Sequence, residues 1–60
     1  MKKYIIRDTE AGNEIDSFST IEEAQKALVG YVTDDRRDGS YTTGFYEIYN
    51  TEGDEVVETA

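Results

Sequence analysis

The sequence predicts an α+β fold of the order ββαββ, in which one helix packs on a small antiparallel sheet. Apolar residues recur with helical spacing in the middle third, and short β-branched or aromatic runs flank that third on both sides. Turn-forming residues divide each flank into two runs. Sixty residues suffice for one domain only, so we expect a single domain over residues 1–60.

The N-terminal flank predicts a β-hairpin. Residues 3–7 include Tyr4, Ile5 and Ile6, which are residue types that favour strands, and residues 14–19 form a second, loosely alternating run. Gly12-Asn13 lies between them and suits a turn that requires a positive φ.

The start of the helix has the clearest local pattern. Thr20 and Glu23 have the spacing of a capping box, in which each side chain accepts a hydrogen bond from the other residue's backbone N–H. Gly39 suits the C-terminal cap, whereas Gly30 lies inside the helix and allows a kink or an earlier end. Val29 falls off the apolar face. That face consists of Ile21, Ala24, Ala27, Leu28, Tyr31 and Val32.

The C-terminal flank predicts a second hairpin. Residues 45–49 form a strand, residues 51–54 a turn, and residues 55–58 a last strand. The simplest arrangement places the first strand beside the third, which gives the sheet order 2-1-3-4 with one face under the helix.

Period-two alternation predicts which strand residues meet the helix. We expect Ala24, Leu28 and Tyr31 to pack on the sheet. Ile5 and Ile6 must point to opposite faces, and we favour Ile6 inward together with Tyr4 because two large residues fill a thin core better. Their inward partners are Ile48 and either Ile15 or Phe18.

Composition restricts the partners. Fourteen acidic residues against six basic ones give a net charge of −8, which repels phosphate backbones and disfavours direct nucleic-acid binding. The sequence contains no apolar run of the length of a signal peptide core or a membrane span. We therefore expect a cytoplasmic protein without membrane contact, whose partner is another protein.

The residue inventory argues against catalysis. Histidine and cysteine are absent, which removes the commonest general bases and nucleophiles near neutral pH. Asn50, Glu52 and Asp54 alternate like calcium ligands but lack the glycine and the twelfth-position glutamate of a calcium loop. The five glycines match no nucleotide-binding motif. We predict no enzyme activity, no metal site and no cofactor.

Aromatic residues cluster near the third strand. If Tyr46 and Ile48 face the helix, Phe45 and Tyr49 lie on the open face of the sheet, where aromatic rings suit a protein contact. The alternative is that these rings cover each other without a partner. The predicted contact patch consists of Ile5, Tyr41, Phe45 and Tyr49.

The segments 16–24 (DSFSTIEEA) and 44–50 (GFYEIYN) resemble a group of short, acidic, uncharacterised proteins encoded in phage and conjugative elements of Gram-positive bacteria. The resemblance covers nearly the whole chain. It implies an origin on a mobile element and favours a small inhibitor or accessory factor, and it assigns no functional residue.

Two functions follow from the sequence. The first is a non-enzymatic protein-binding or accessory module of a mobile element. The second is an acidic DNA mimic that inhibits a host nuclease or DNA-binding protein, with helix and hairpin carboxylates in place of phosphates. Mimicry requires these carboxylates to be grouped on one surface.

Overall fold

The predicted strand order and fold class are confirmed. A computed structural model describes residues 2–60, with a four-stranded antiparallel sheet of order β2-β1-β3-β4 and one helix against it. The strand bounds differ from the predicted ones by one residue at some ends. The elements are β1 (Tyr4–Asp8), β2 (Glu14–Phe18), α1 (Ile21–Asp38), β3 (Tyr46–Asn50) and β4 (Glu55–Thr59).

The predicted capping box starts α1. The Thr20 side-chain hydroxyl accepts from the Glu23 backbone N–H at 3.2 Å, and the Glu23 carboxylate accepts from the Thr20 backbone N–H at 3.2 Å. Two backbone donors that the first helical turn leaves free are thereby satisfied.

Gly39 ends α1 in the left-handed conformation, with φ +78°, and its N–H donates to the Arg36 carbonyl at 3.2 Å. Between its two caps the helix is continuous through Gly30, so the earlier end that this residue allowed does not occur. Arg36 and Arg37 lie in the last turn, where the helix dipole stabilises positive charge.

The core lies between α1 and the two central strands. Ile6 faces the helix, as predicted, and is fully buried together with Ile48. Phe18 packs against this core, whereas Ile15 is exposed, which settles the alternative between them. The buried residues are Ile6, Ala24, Leu28, Tyr46 and Ile48.

One end of the molecule holds the β1–β2 turn and the loop that follows α1. The Asp8 carboxylate accepts from the backbone N–H groups of Ala11 and Gly12, and Gly12 has the positive φ expected for it. The Thr9 N–H donates to the Phe45 carbonyl at 2.8 Å, which joins this turn to the loop before β3.

The opposite end holds the β3–β4 turn. The Asn50 side-chain oxygen accepts from the backbone N–H groups of Glu52 and Gly53. The Thr51 N–H donates to the Lys3 carbonyl at 2.9 Å, so the turn is attached to the start of β1. The oxygen of Asn50 that suggested a metal ligand therefore serves the turn.

The edge strand β2 contains a β-bulge. Ile6 of β1 lies opposite Asp16. The next residue of β1, Arg7, lies opposite Glu14. Ile15 therefore has no partner across the ladder, which is the definition of a bulge.

The other edge strand, β4, contains a bulge as well. Ile48 of β3 lies opposite Glu58. Its neighbour Tyr49 lies opposite Val56, which leaves Val57 without a partner. Bulges on edge strands interrupt the free row of backbone groups and protect the sheet against edge-to-edge pairing.

Among residues 2–60, no helix is both long and apolar enough to cross a membrane.

Candidate protein-contact surface

The sheet has one covered face and one open face, and the open face carries a row of apolar side chains. Residues directly opposite each other in an antiparallel ladder share a face. Ile5 lies opposite Tyr49, and Tyr49 lies opposite Val56. Because Ile6 and Ile48 face the helix, these three residues lie on the other face, in one row across β1, β3 and β4.

The two bulges place a further apolar residue near this row on each edge strand, whereas the β2 residue directly opposite Ile5 is Ser17. Alternation from Asp16, whose carboxylate accepts from Tyr31 of α1, puts Ile15 on the open face. Alternation from Glu58, which accepts from Gln25 of α1, puts Val57 there too.

These five side chains lie on the same face of the sheet, and we call them the apolar row: Ile5, Ile15, Tyr49, Val56 and Val57. Its outer members are well exposed, with relative exposures of 41% for Ile15, 47% for Val56 and 43% for Val57. The row has members on all four strands, whereas isolated exposed apolar residues are ordinary.

A charged pair lies beside the centre of the row. The Arg7 Nε is 2.5 Å from the Glu47 Oε1, and both side chains are largely shielded from solvent. The Arg7 guanidinium carbon also lies 3.9 Å from the centroid of the Tyr49 ring, within the range of a cation–π contact. The pair therefore cancels its own charge and holds the Tyr49 ring in place.

The predicted patch of Ile5, Tyr41, Phe45 and Tyr49 is divided by the structure. Ile5 and Tyr49 are brought together. The predicted open-face position of Phe45 is wrong: β3 begins one residue later, and the Phe45 ring packs against the core, edge-on to Tyr46 with ring centroids 4.9 Å apart. Alternation predicts faces only inside a strand.

Tyr41 also lies away from the open face. It follows the C-terminal end of α1, and its ring centroid is 5.0 Å from the guanidinium carbon of Arg36. Tyr41 and Phe45 thus belong to the loop end of the molecule rather than to the apolar row.

Two tyrosines on the covered side donate to carboxylates. The Tyr46 hydroxyl donates to Asp35, and this hydrogen bond, followed by burial, raises the pKa of Tyr46 to about 12. The Tyr31 hydroxyl donates to Asp16 at 3.2 Å, and burial, followed by this hydrogen bond, raises the pKa of Tyr31 as well. Both phenols stay protonated at neutral pH, so their role here is to join α1 to β3 and β2.

The carboxylates occupy both ends of the molecule. Glu22 and Glu23 lie in the first turn of α1, and Asp38 lies in its last turn. Further acids lie in the two hairpin turns, which are at opposite ends of the sheet, and Asp16 and Asp35 are engaged by tyrosines. This distribution does not favour the DNA-mimic function, which requires the carboxylates to be grouped on one surface.

A shallow hollow separates α1 from β4, because the helix crosses the other three strands. It has a volume of about 260 Å³ and is lined mainly by Leu28, Val32, Arg36, Glu58 and Ala60. This is below the roughly 300–1,000 Å³ of pockets that enclose a drug-sized ligand. The hollow does not make a small-molecule site.

Three members of the apolar row were not among the predicted contact residues. Val56 and Val57 stood in the predicted last strand, and their adjacency in an edge strand is a signal that could have indicated a bulge. For Ile15, the local sequence pattern did not decide which face of the sheet its side chain would occupy.

Comparison of the chain with protein-family models, curated proteins and solved structures finds no match.

Proposed function

We propose that this chain is a non-enzymatic protein-binding module, acting as an accessory factor of a mobile genetic element, and that it contacts its partner through the apolar row. The observation that carries the proposal is the row itself: five apolar side chains that cross all four strands on the face that α1 leaves open. A sheet face of this kind is stabilised when a second layer covers it.

The composition of the row supports a protein partner. Tyrosine is enriched in interface cores, where its ring gives a large contact area with few rotatable bonds. Arg7 holds the Tyr49 ring from one side, so little side-chain entropy is lost when a partner packs against it. The absence of histidine and cysteine from the sequence favours binding over chemistry.

The test is capture of partners from a lysate of the source organism by the immobilised chain. Val56→Glu places a charge in the row, and Val29→Glu is the matched control on α1, against the other face of the sheet, where Val29 is 65% exposed. Proteins recovered by the wild type and by Val29→Glu, but lost with Val56→Glu, are identified and their binding is repeated with purified components.

Circular dichroism of both variants shows whether they are folded. If folded Val56→Glu recovers the same proteins at wild-type levels, the apolar row is not the contact surface. Retention by all three chains of a nuclease or a DNA-binding protein, released by added DNA, supports the DNA-mimic function instead.

A further inference from the structure

We infer that the segment covering the apolar row is a basic amphipathic helix of about three turns, supplied by the partner protein. The inference rests on the proposed function and specifies the chemistry of the partner. It is carried by the length of the row, by the bulged sheet edges and by the charges on either side of the row.

The length of the row suits a short helix. From β2 to β4 there are three inter-strand spacings of about 4.8 Å, or about 14 Å in all. A helix rises 1.5 Å per residue, so about ten residues span this distance. Apolar side chains at positions i, i+4 and i+7 of such a helix meet the row at successive points along it.

The edges of the sheet favour a partner that packs on the open face over one that adds a strand at an edge. A partner strand would have to pair with β2 or β4, and each of these edge strands is interrupted by a bulge, at Ile15 and at Val57. On the covered face, α1 already shows that a helix packs well on this sheet.

The charges beside the row are complementary to a basic helix. The row crosses the middle of the strands, so the two hairpin turns lie on its two long sides. On the open face, Arg7 is paired with Glu47, and Lys3 lies 3.8 Å from Glu52 in the β3–β4 turn. Both of these basic residues thus lie beside a carboxylate.

Other acids near the two turns are available to a basic partner. Glu10 and Glu14 at one end and Asp54 at the other are exposed and form no ion pair within residues 2–60. Lysine or arginine residues on both flanks of a docked helix would lie near these carboxylates. A second copy of the chain, with its own net charge of −8, would be repelled.

The probes are three synthetic peptides of one length with the same leucine stripe and with lysine, glutamine or glutamate on both flanks. Each is titrated into the ¹⁵N-labelled full chain, and amide chemical shifts are followed by NMR at low and high salt. We expect the lysine peptide to shift the amides of Ile5, Tyr49 and Val56. We expect its affinity to fall as salt rises.

Variants separate the row from general acidity. We expect Val56→Glu to weaken the lysine peptide about tenfold or more, because docking would bury a carboxylate among apolar side chains, and Val29→Glu to leave its affinity unchanged. Val57→Glu changes the residue that has no partner in β3, and it serves the same purpose if Val56→Glu unfolds.

Several results would overturn the inference. If the glutamine peptide binds the row as tightly as the lysine peptide, the basic partner is wrong while the proposed function stands. Equal binding of the lysine peptide to Val56→Glu and wild type shows charge attraction without docking. A dimer in sedimentation that Val56→Glu abolishes makes the occupant a second copy. If none of the peptides shifts the amides of the row, the inference of a helical partner is wrong.

Discussion

Ile5 and Tyr49 lie directly opposite each other on the two central strands, on the face of the sheet away from α1. They are partly buried, whereas the outer members of the apolar row are exposed. The centre of the row therefore contributes to the stability of the free protein, and its ends are available to a partner.

A double-mutant cycle measures the contact between these two residues. We expect Ile5→Ala and Tyr49→Ala to show a coupling free energy of about 0.2–1 kcal/mol, the range of cross-strand pairs. Urea unfolding of the two single variants and the double variant gives this value. Strictly additive losses would show that the two side chains do not interact.

Leu28 and Val29 are adjacent in α1 but differ in exposure, at 2% and 65%. We expect Leu28→Ala to lower the free energy of unfolding by about 2–5 kcal/mol, because it opens a cavity in the core. A chain of this length has a total stability of about 3–9 kcal/mol, so much of the population should unfold.

Val29→Ala is the control for this substitution and should change the stability by less than about 0.5 kcal/mol. Thermal or urea unfolding measures both. Similar effects of the two variants would contradict the placement of the helix face.

The capping box gives a third prediction. Thr20→Val removes the oxygen that accepts from the Glu23 N–H, and we expect a loss of about 0.5–2 kcal/mol. Ser19→Ala, one residue earlier and exposed, should have little effect. The melting temperatures of the two variants show which residue caps the helix. A larger loss for Ser19→Ala would mean that the cap is Ser19.

Two glycines of the helical segment should respond in opposite directions to alanine. Gly30 lies inside α1 with no atom within 4 Å of an added Cβ, so Gly30→Ala should stabilise the protein by about 0.5–1 kcal/mol. Gly39 has φ +78°, and Gly39→Ala should destabilise it by about 1–2 kcal/mol. Urea unfolding midpoints show whether each variant is more or less stable than the wild type. A change in the same direction for both variants would contradict the prediction.

The Tyr46 contact predicts a loss of stability at high pH. The folded pKa of about 12 lies above the ordinary tyrosine value of 10.0, so the unfolded chain loses its proton first as pH rises. The stabilisation is therefore complete below about pH 10 and disappears toward pH 12.

Urea titrations across this range measure the effect. We expect the free energy of unfolding to fall by up to about 1.4 kcal/mol per pH unit from this one phenol, and Tyr46→Phe to fall less steeply. Equal slopes for the wild type and Tyr46→Phe would mean that the phenol is not responsible.

The helix and the strand order are the parts of the fold that the sequence predicts best. Thr20, Glu23 and Gly39 act on backbone groups within one or two turns, so their spacing in the chain determines their geometry. Ile6 and Ile48 follow from alternation inside regular strands.

The candidate surface is predicted only in its centre. Ile5 and Tyr49 obey the same alternation, but Phe45 precedes the strand and turns toward the core. Ile15 and Val57 depend on the register between neighbouring strands. A one-residue shift in pairing depends on the packing of the whole sheet, and short sequence patterns do not report it.

The two bulges make the proposed surface separable from the fold. Ile15 and Val57 are supernumerary in the ladder: without either residue, the remaining pairs of its strand form an uninterrupted antiparallel series. Asp16 and Glu58 would keep their orientation toward α1. Deletion of either single residue should thus remove one end of the proposed surface while the architecture persists, so the extent of this face can change in a small domain without a change of fold.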